Sequence, residues 1–103
     1  MGRVTFNATD AECEAVYRIA GRVVKIERER EGRVHRDRKC DIRMDLIACH
    51  SNGCPLDFEK LEGFDDFNLL HDVYGIDRHL NRETGALSAM FLPRCALSEK
   101  KDV

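Results

Sequence analysis

Thr9 and Glu12 stand three residues apart, the spacing of a capping box, in which the hydroxyl and the carboxylate satisfy backbone N–H groups at a helix start. Ala15, Val16, Ile19, Ala20, Val23 and Ile26 then recur at helical spacing, so the pattern predicts a helix over about 10–31 that buries one stripe. Glu14 and Arg18 are placed to pair four apart on its exposed side. The run KIERERE alternates in sign, which suits a solvated helical face, and Gly32 supplies the stop.

Later segments read as shorter elements. Asp41 is an expected N-cap for a helix over about 41–51, with Ile42, Leu46 and Cys49 stacked and Asn52-Gly53 ending it. Pro55 to Glu62 reads as a helical turn offering Leu56, Phe58 and Leu61 to the core. Asp65 caps a helix over about 65–74 whose apolar face includes Phe67, Leu70 and Tyr74. Gly75 interrupts that pattern. Alternation then suggests a β-hairpin over about 76–81 and 86–91, turned at Asn81 to Gly85. The fold class expected is α+β, mostly α, with residues 1–97 as a single compact domain and 98–103 as a flexible tail.

A chain of 103 residues fits one core. With 43% hydrophobic and 35% charged residues its surface must be largely ionic. The net charge of −2 is too small to draw the whole molecule to nucleic acid or membranes, but charge is uneven. Lys25 to Arg43 holds eight basic and five acidic residues, and Asp57 to Asp77 holds seven acidic residues against Lys60. Glutamates interleaved among Arg28, Arg30, Arg33, Arg36, Arg38 and Lys39, without aromatics, argue against a nucleic-acid surface. No apolar run spans the ~20 residues a membrane helix needs, and no secretory layout opens the chain. A cytoplasmic protein is expected. Five cysteines, an odd number, fit reduced thiols or metal ligands better than a disulfide framework.

Chemistry concentrates between Cys49 and His79, which holds three of the four histidines and two of the cysteines. Cys49, Cys54, His50 and His71 are the candidate ligands for zinc. The competing reading makes Cys49 a small apolar core residue. His50, Cys54, His71, Asp72, Arg78 and His79 form a wider ligand-site candidate. Cys54 has the residue type of a nucleophile and the histidines that of a base, with Asp65 or Asp66 as orienting carboxylates. No triad spacing or oxyanion glycine motif accompanies them, so no residue is assigned a catalytic role. Arg78, His79, Arg82 and Arg94 either make an anion-binding surface or pair with the acidic segment, and internal pairing is expected. Asp57, Glu59, Glu62, Asp65 and Asp66 form a candidate acidic binding surface.

The motifs H-x-N-G-C-P-L, D-D-F-N, H-D-V-x-G-I-x-R-H and P-R-C follow in this order over about residues 41–96. In these the chain resembles a family of small uncharacterised proteins encoded by bacteria and by phages or prophages. The resemblance carries no activity, cofactor or catalytic residue. A phage or prophage setting implies a protein that binds a host protein stoichiometrically, such as an inhibitor of a nucleic-acid-handling or defence enzyme with a basic groove. The alternative is a small metal- or ligand-binding domain. Self-association through the apolar helical surface is a further expectation.

Overall fold

In the computed structural model, residues 6–88, 90 and 91 are described. Four helices occur in the order α1 (Asp10–Glu31), α2 (Arg38–Ser51), α3 (Phe58–Gly63) and α4 (Asp66–His79). The capping box is complete: Thr9 Oγ1 accepts from the Glu12 N–H, and a Glu12 carboxylate oxygen accepts from the Thr9 N–H at 2.9 Å. Gly32, at φ 88°, ends α1 in the left-handed conformation that glycine adopts without strain. All six apolar stripe residues are buried. They face Ile42, Leu46 and Cys49 of α2, Leu61 of α3 and Leu69, Val73 and Ile76 of α4 in one core.

Two helix starts follow the N-cap rule. Asp57 and Asp65 accept from the Lys60 and Asn68 N–H groups, satisfying donors that have no partner within α3 and α4. Asp41 does not cap α2, contrary to expectation. That helix begins a turn earlier, behind Asp37, and Asp41 lies exposed in its first turn, where a negative charge complements the helix dipole. Glu14 attracts Arg18 along the helix but is not its direct ion-pair partner. Arg18 reaches across to α3, where Nε lies 2.7 Å from Glu62. Phe67 lies off the buried face and is 64% exposed, because Leu69, Leu70, Val73 and Ile76 supply the core side of α4.

The α+β expectation is overturned, because the described residues contain no β-strand and the fold is mostly helical. The predicted C-terminal hairpin fails at Gly75. This glycine does not have positive φ and does not break α4, which continues to His79 and takes Ile76 and Arg78 with it. Its small size is needed for tertiary packing: a Cβ there would overlap the Phe91 ring. The turn after α4 does form. Gly85 has φ 75°, and its N–H donates to the Asn81 carbonyl. Among the described residues, Leu80 and Leu87 make the one antiparallel bridge across that turn. Gly85 also packs on α2, since a Cβ there would come within 2.7 Å of the Asn52 side chain. Ala89, Arg94 and the 98–103 tail lie outside the described residues. Among the described residues no helix is long and apolar enough to cross a membrane.

Candidate functional site

The segment from Cys49 to His79 separates into two places. At the end of α2, both His50 ring nitrogens are engaged: Nδ1 accepts from the Leu56 N–H at 2.9 Å, and Nε2 meets a Glu12 carboxylate oxygen at 2.9 Å. The ring also lies 4.9 Å from that of Phe58. Glu12 thus serves the cap of α1 and the end of α2 together. The Thr9 N–H, assisted by His50, holds its carboxyl below the usual range against the opposing effect of burial. The fully buried Cys49 thiol points its Sγ at the Cys54 carbonyl, 3.6 Å away, and burial pushes its pKa far up. Among the described residues no group of three or more His, Cys, Asp or Glu side chains is placed to hold a metal ion.

The second place is on α4. His71, Arg78 and His79 line one hollow of about 360 Å³ with Tyr74, Met90 and Phe91. Arg78 and His79 also line an adjoining hollow of about 350 Å³. His79 stacks on Phe91 with ring centroids 5.9 Å apart. His50 and Cys54 line neither hollow, and Asp72 is fully buried on the core side of α4. The wider candidate list is therefore divided, with His71, Arg78 and His79 brought together.

The acidic candidates have local work. Asp57 and Asp65 cap helices, Glu62 takes two bonds from Arg18, and Asp66 accepts from Arg22 at 2.9 Å. Arg22 also donates to the Glu62 and Phe64 carbonyls, tying α1 to the α3–α4 junction. Glu59, Asp65, Asp66 and Phe67 remain exposed on one stretch of chain.

A third cluster was missed in the sequence. Glu27 of α1 is only 7% exposed and accepts from Arg38 Nε and Nη2 of α2 and from the Tyr74 hydroxyl of α4. Arg38 Nη1 reaches Asp77 at 3.3 Å, and Arg82 joins Asp77 at 2.6 Å to Asp45 at 3.0 Å. Burial, with the bond to Glu27, pushes the Tyr74 hydroxyl up to about 12. Burial, with the shared bond to Asp77, pushes Asp45 up to about 7. Burial opposes ionisation of Asp77 as well, but its bonds to Asp45, Arg38 and Arg82 hold it below the usual range. Of the cationic residues expected to pair internally, Arg82 bridges Asp77 and Asp45, while Arg78 makes no ion pair with a described residue. A signal for this cluster was present: Ala20, Val24 and Glu27 share one helical stripe, as do Ile42, Asp45 and Cys49. A carboxylate on an apolar stripe needs a buried partner.

The model of a family of unknown function, DUF6874, matches residues 11–97. The chain belongs to that family. No curated protein and no solved structure matches it. The DUF6874 match starts within α1, so it takes in Glu27 and Arg38 as well as the motifs after residue 41. Most of HSNGCPL in this DUF6874 chain has an architectural role. His50 bridges three segments, Ser51 Oγ donates to the Asn7 carbonyl, and Asn52 donates to Ala48 of α2.

Thiol labelling tests that assignment. Cys13 and Cys40 are exposed, Cys54 is half-buried and Cys49 is buried. Alkylation of the folded protein followed by peptide mapping is expected to label Cys13 and Cys40 first and Cys49 only on unfolding, because the thiolate is the nucleophile and burial suppresses it. Rapid labelling of Cys49 would contradict this arrangement.

Proposed function

We propose that the protein is a small accessory protein of the phage or prophage type that acts by stoichiometric binding to a host protein, inhibiting a nucleic-acid-handling or defence enzyme. The observation that carries this reading is Phe67, 64% exposed at the start of α4 and adjoining the exposed carboxylates of Asp65 and Asp66. An aromatic anchor with a charged rim is the composition of a protein-binding hot spot. Acidic groups around it complement the basic groove of a nucleic-acid-handling enzyme and speed encounter with it. Arg18 and Arg22 neutralise Glu62 and Asp66, leaving the exposed Glu59 and Asp65 to meet a partner.

The test compares wild type, Phe67→Ala and Glu59→Lys for binding to a partner identified by cross-linking in bacterial cells. Phe67→Ala is expected to weaken binding by about thirtyfold, the effect of losing a hot-spot aromatic. Glu59→Lys should slow association most at low salt. Unchanged affinity and association rate in both variants would sink the proposal. A second reading, a small ligand-binding domain, is favoured by the hollows on α4.

A further inference from the structure

Arg78 and His79 line two hollows of different chemistry. On one side the lining side chains are His71, Tyr74, Met90 and Phe91. Met90 is 80% exposed there, so apolar surface is left in contact with solvent. Gly75 lets the Phe91 ring lie directly against α4 and shape that wall. On the other side the polar side chains are Asn81, Thr84 and Ser88.

Their local hydrogen bonds decide what these three groups can offer. Asn81 Oδ1 accepts from the Glu83 and Thr84 N–H groups at 2.9 and 3.2 Å, which leaves the amide NH2 to donate. Thr84 Oγ1 accepts from the Ala86 N–H, and Ser88 Oγ accepts from the Met90 N–H. Each hydroxyl therefore keeps its proton for a further acceptor. Arg78 is exposed and makes no ion pair with a described residue, so its planar fork of donors is available beside them. Both lone pairs of Asn81 Oδ1 are taken locally, and the Asn81 amide and the two hydroxyls each have a proton to donate. Such a hollow matches an oxyanion, and the guanidinium selects a phosphate or carboxylate by paired hydrogen bonds.

We infer that the cleft shared by Arg78 and His79 binds a small phosphate monoester carrying a flat ring, an aryl or nucleoside phosphate. The phosphate lies between Arg78, Thr84 and Ser88, and the ring covers Tyr74, Met90 and Phe91. Each hollow falls within the ~300–1,000 Å³ range of small-molecule sites, and the mix of apolar wall with few convergent donors is typical of them. This site is separate from the surface around Phe67, so either proposal can fail without the other.

The experiment is a titration of the ¹⁵N-labelled full chain with phenyl phosphate, inorganic phosphate and phenol, followed by amide shifts. Phenyl phosphate is expected to bind saturably and to move the amides of Tyr74, Arg78, Thr84 and Ser88. Inorganic phosphate should bind more weakly and leave Tyr74 unmoved. Arg78→Gln keeps an exposed polar side chain and should weaken phenyl phosphate binding by about tenfold or more, the effect of losing a charge-assisted bond. Ser88→Ala should weaken it less, and circular dichroism shows that either variant is folded. No saturable shift, equal affinity in folded Arg78→Gln, or affinity for phenyl phosphate no greater than for inorganic phosphate or phenol would each overturn the inference.

Discussion

Asp45→Asn is expected to raise the unfolding midpoint at about pH 8 and to flatten its dependence on pH across the range from about 4 to 7. Asp45 is buried at 5% exposure, and its Oδ2 has no hydrogen-bond partner among the described residues. Two carboxylates bond to one another only when one holds a proton, so protonated Asp45 can donate to Asp77 and ionised Asp45 cannot. Facing it are Asp77 of α4, Arg82 of the following turn and Asp41 of its own helix. Burial and the two neighbouring acids outweigh the attraction of Arg82, moving Asp45 from 3.8 to about 7.

A raised pKa means that the folded chain retains a proton that the unfolded chain has released. Its stabilising effect is full below 3.8 and is lost as pH rises through about 7. Asp77 shifts the opposite way, so its contribution is present above 3.8 and lost only at more acid pH. Above about 4.5, where Glu12 and Asp77 are ionised in both states, Asp45 contributes a loss of stability with rising pH up to about 7. Asparagine has a permanent donor for Asp77, no charge to bury, and leaves Arg82 its second partner. The shift from 3.8 to about 7 corresponds to about 4 kcal/mol at about 1.4 kcal/mol per pKa unit, and losing the Arg82–Asp45 ion pair brings the expected gain above neutrality to the order of 2 kcal/mol. For a domain of this size that moves the midpoint by roughly 10 °C. Thermal melts of both proteins across this pH range check it, and parallel curves would contradict the role given to Asp45.

Glu27→Ala has the opposite sign and is expected to cost about 3 kcal/mol in urea unfolding, the size of breaking a buried charge pair from one side. It strands Arg38, whose side chain is 20% exposed, with Asp77 alone. It also removes the acceptor of the Tyr74 hydroxyl. Because Glu27 joins α1 to both α2 and α4, the loss falls on the packing of three helices. Glu27→Gln should cost less, since one oxygen still accepts while the amide donors confront the guanidinium. A loss below about 1 kcal/mol for Glu27→Ala would place the cluster among exposed surface ion pairs.

Local signals made α1 legible. Its cap, stripe and terminal glycine all lie within one segment, so no tertiary information was needed. The start of α4 was similarly marked by Asp65, whereas α3 was expected from Pro55 and begins instead behind Asp57. Gly75 misled because a glycine that breaks a helix and a glycine that admits a neighbouring ring look alike in sequence. Its role depends on Phe91, sixteen positions away in the chain by the numbering. Glu27 was assigned to a solvated charged run because its neighbours Arg28, Glu29 and Arg30 are solvated. One helical residue can face the core while those beside it do not. For the candidate site, residue types drew His50, His71 and His79 together, but only packing separates His50 from the cleft on α4.

Native mass spectrometry of the protein recovered intact with its bound partner from bacterial cells tests the claim of stoichiometric binding most directly. Stoichiometric binding predicts one chain bound to one copy of a host protein with a basic surface, and dissociation of that pair in Phe67→Ala. A chain that carries no protein partner and is recovered instead with a metal or a small ligand would contradict it.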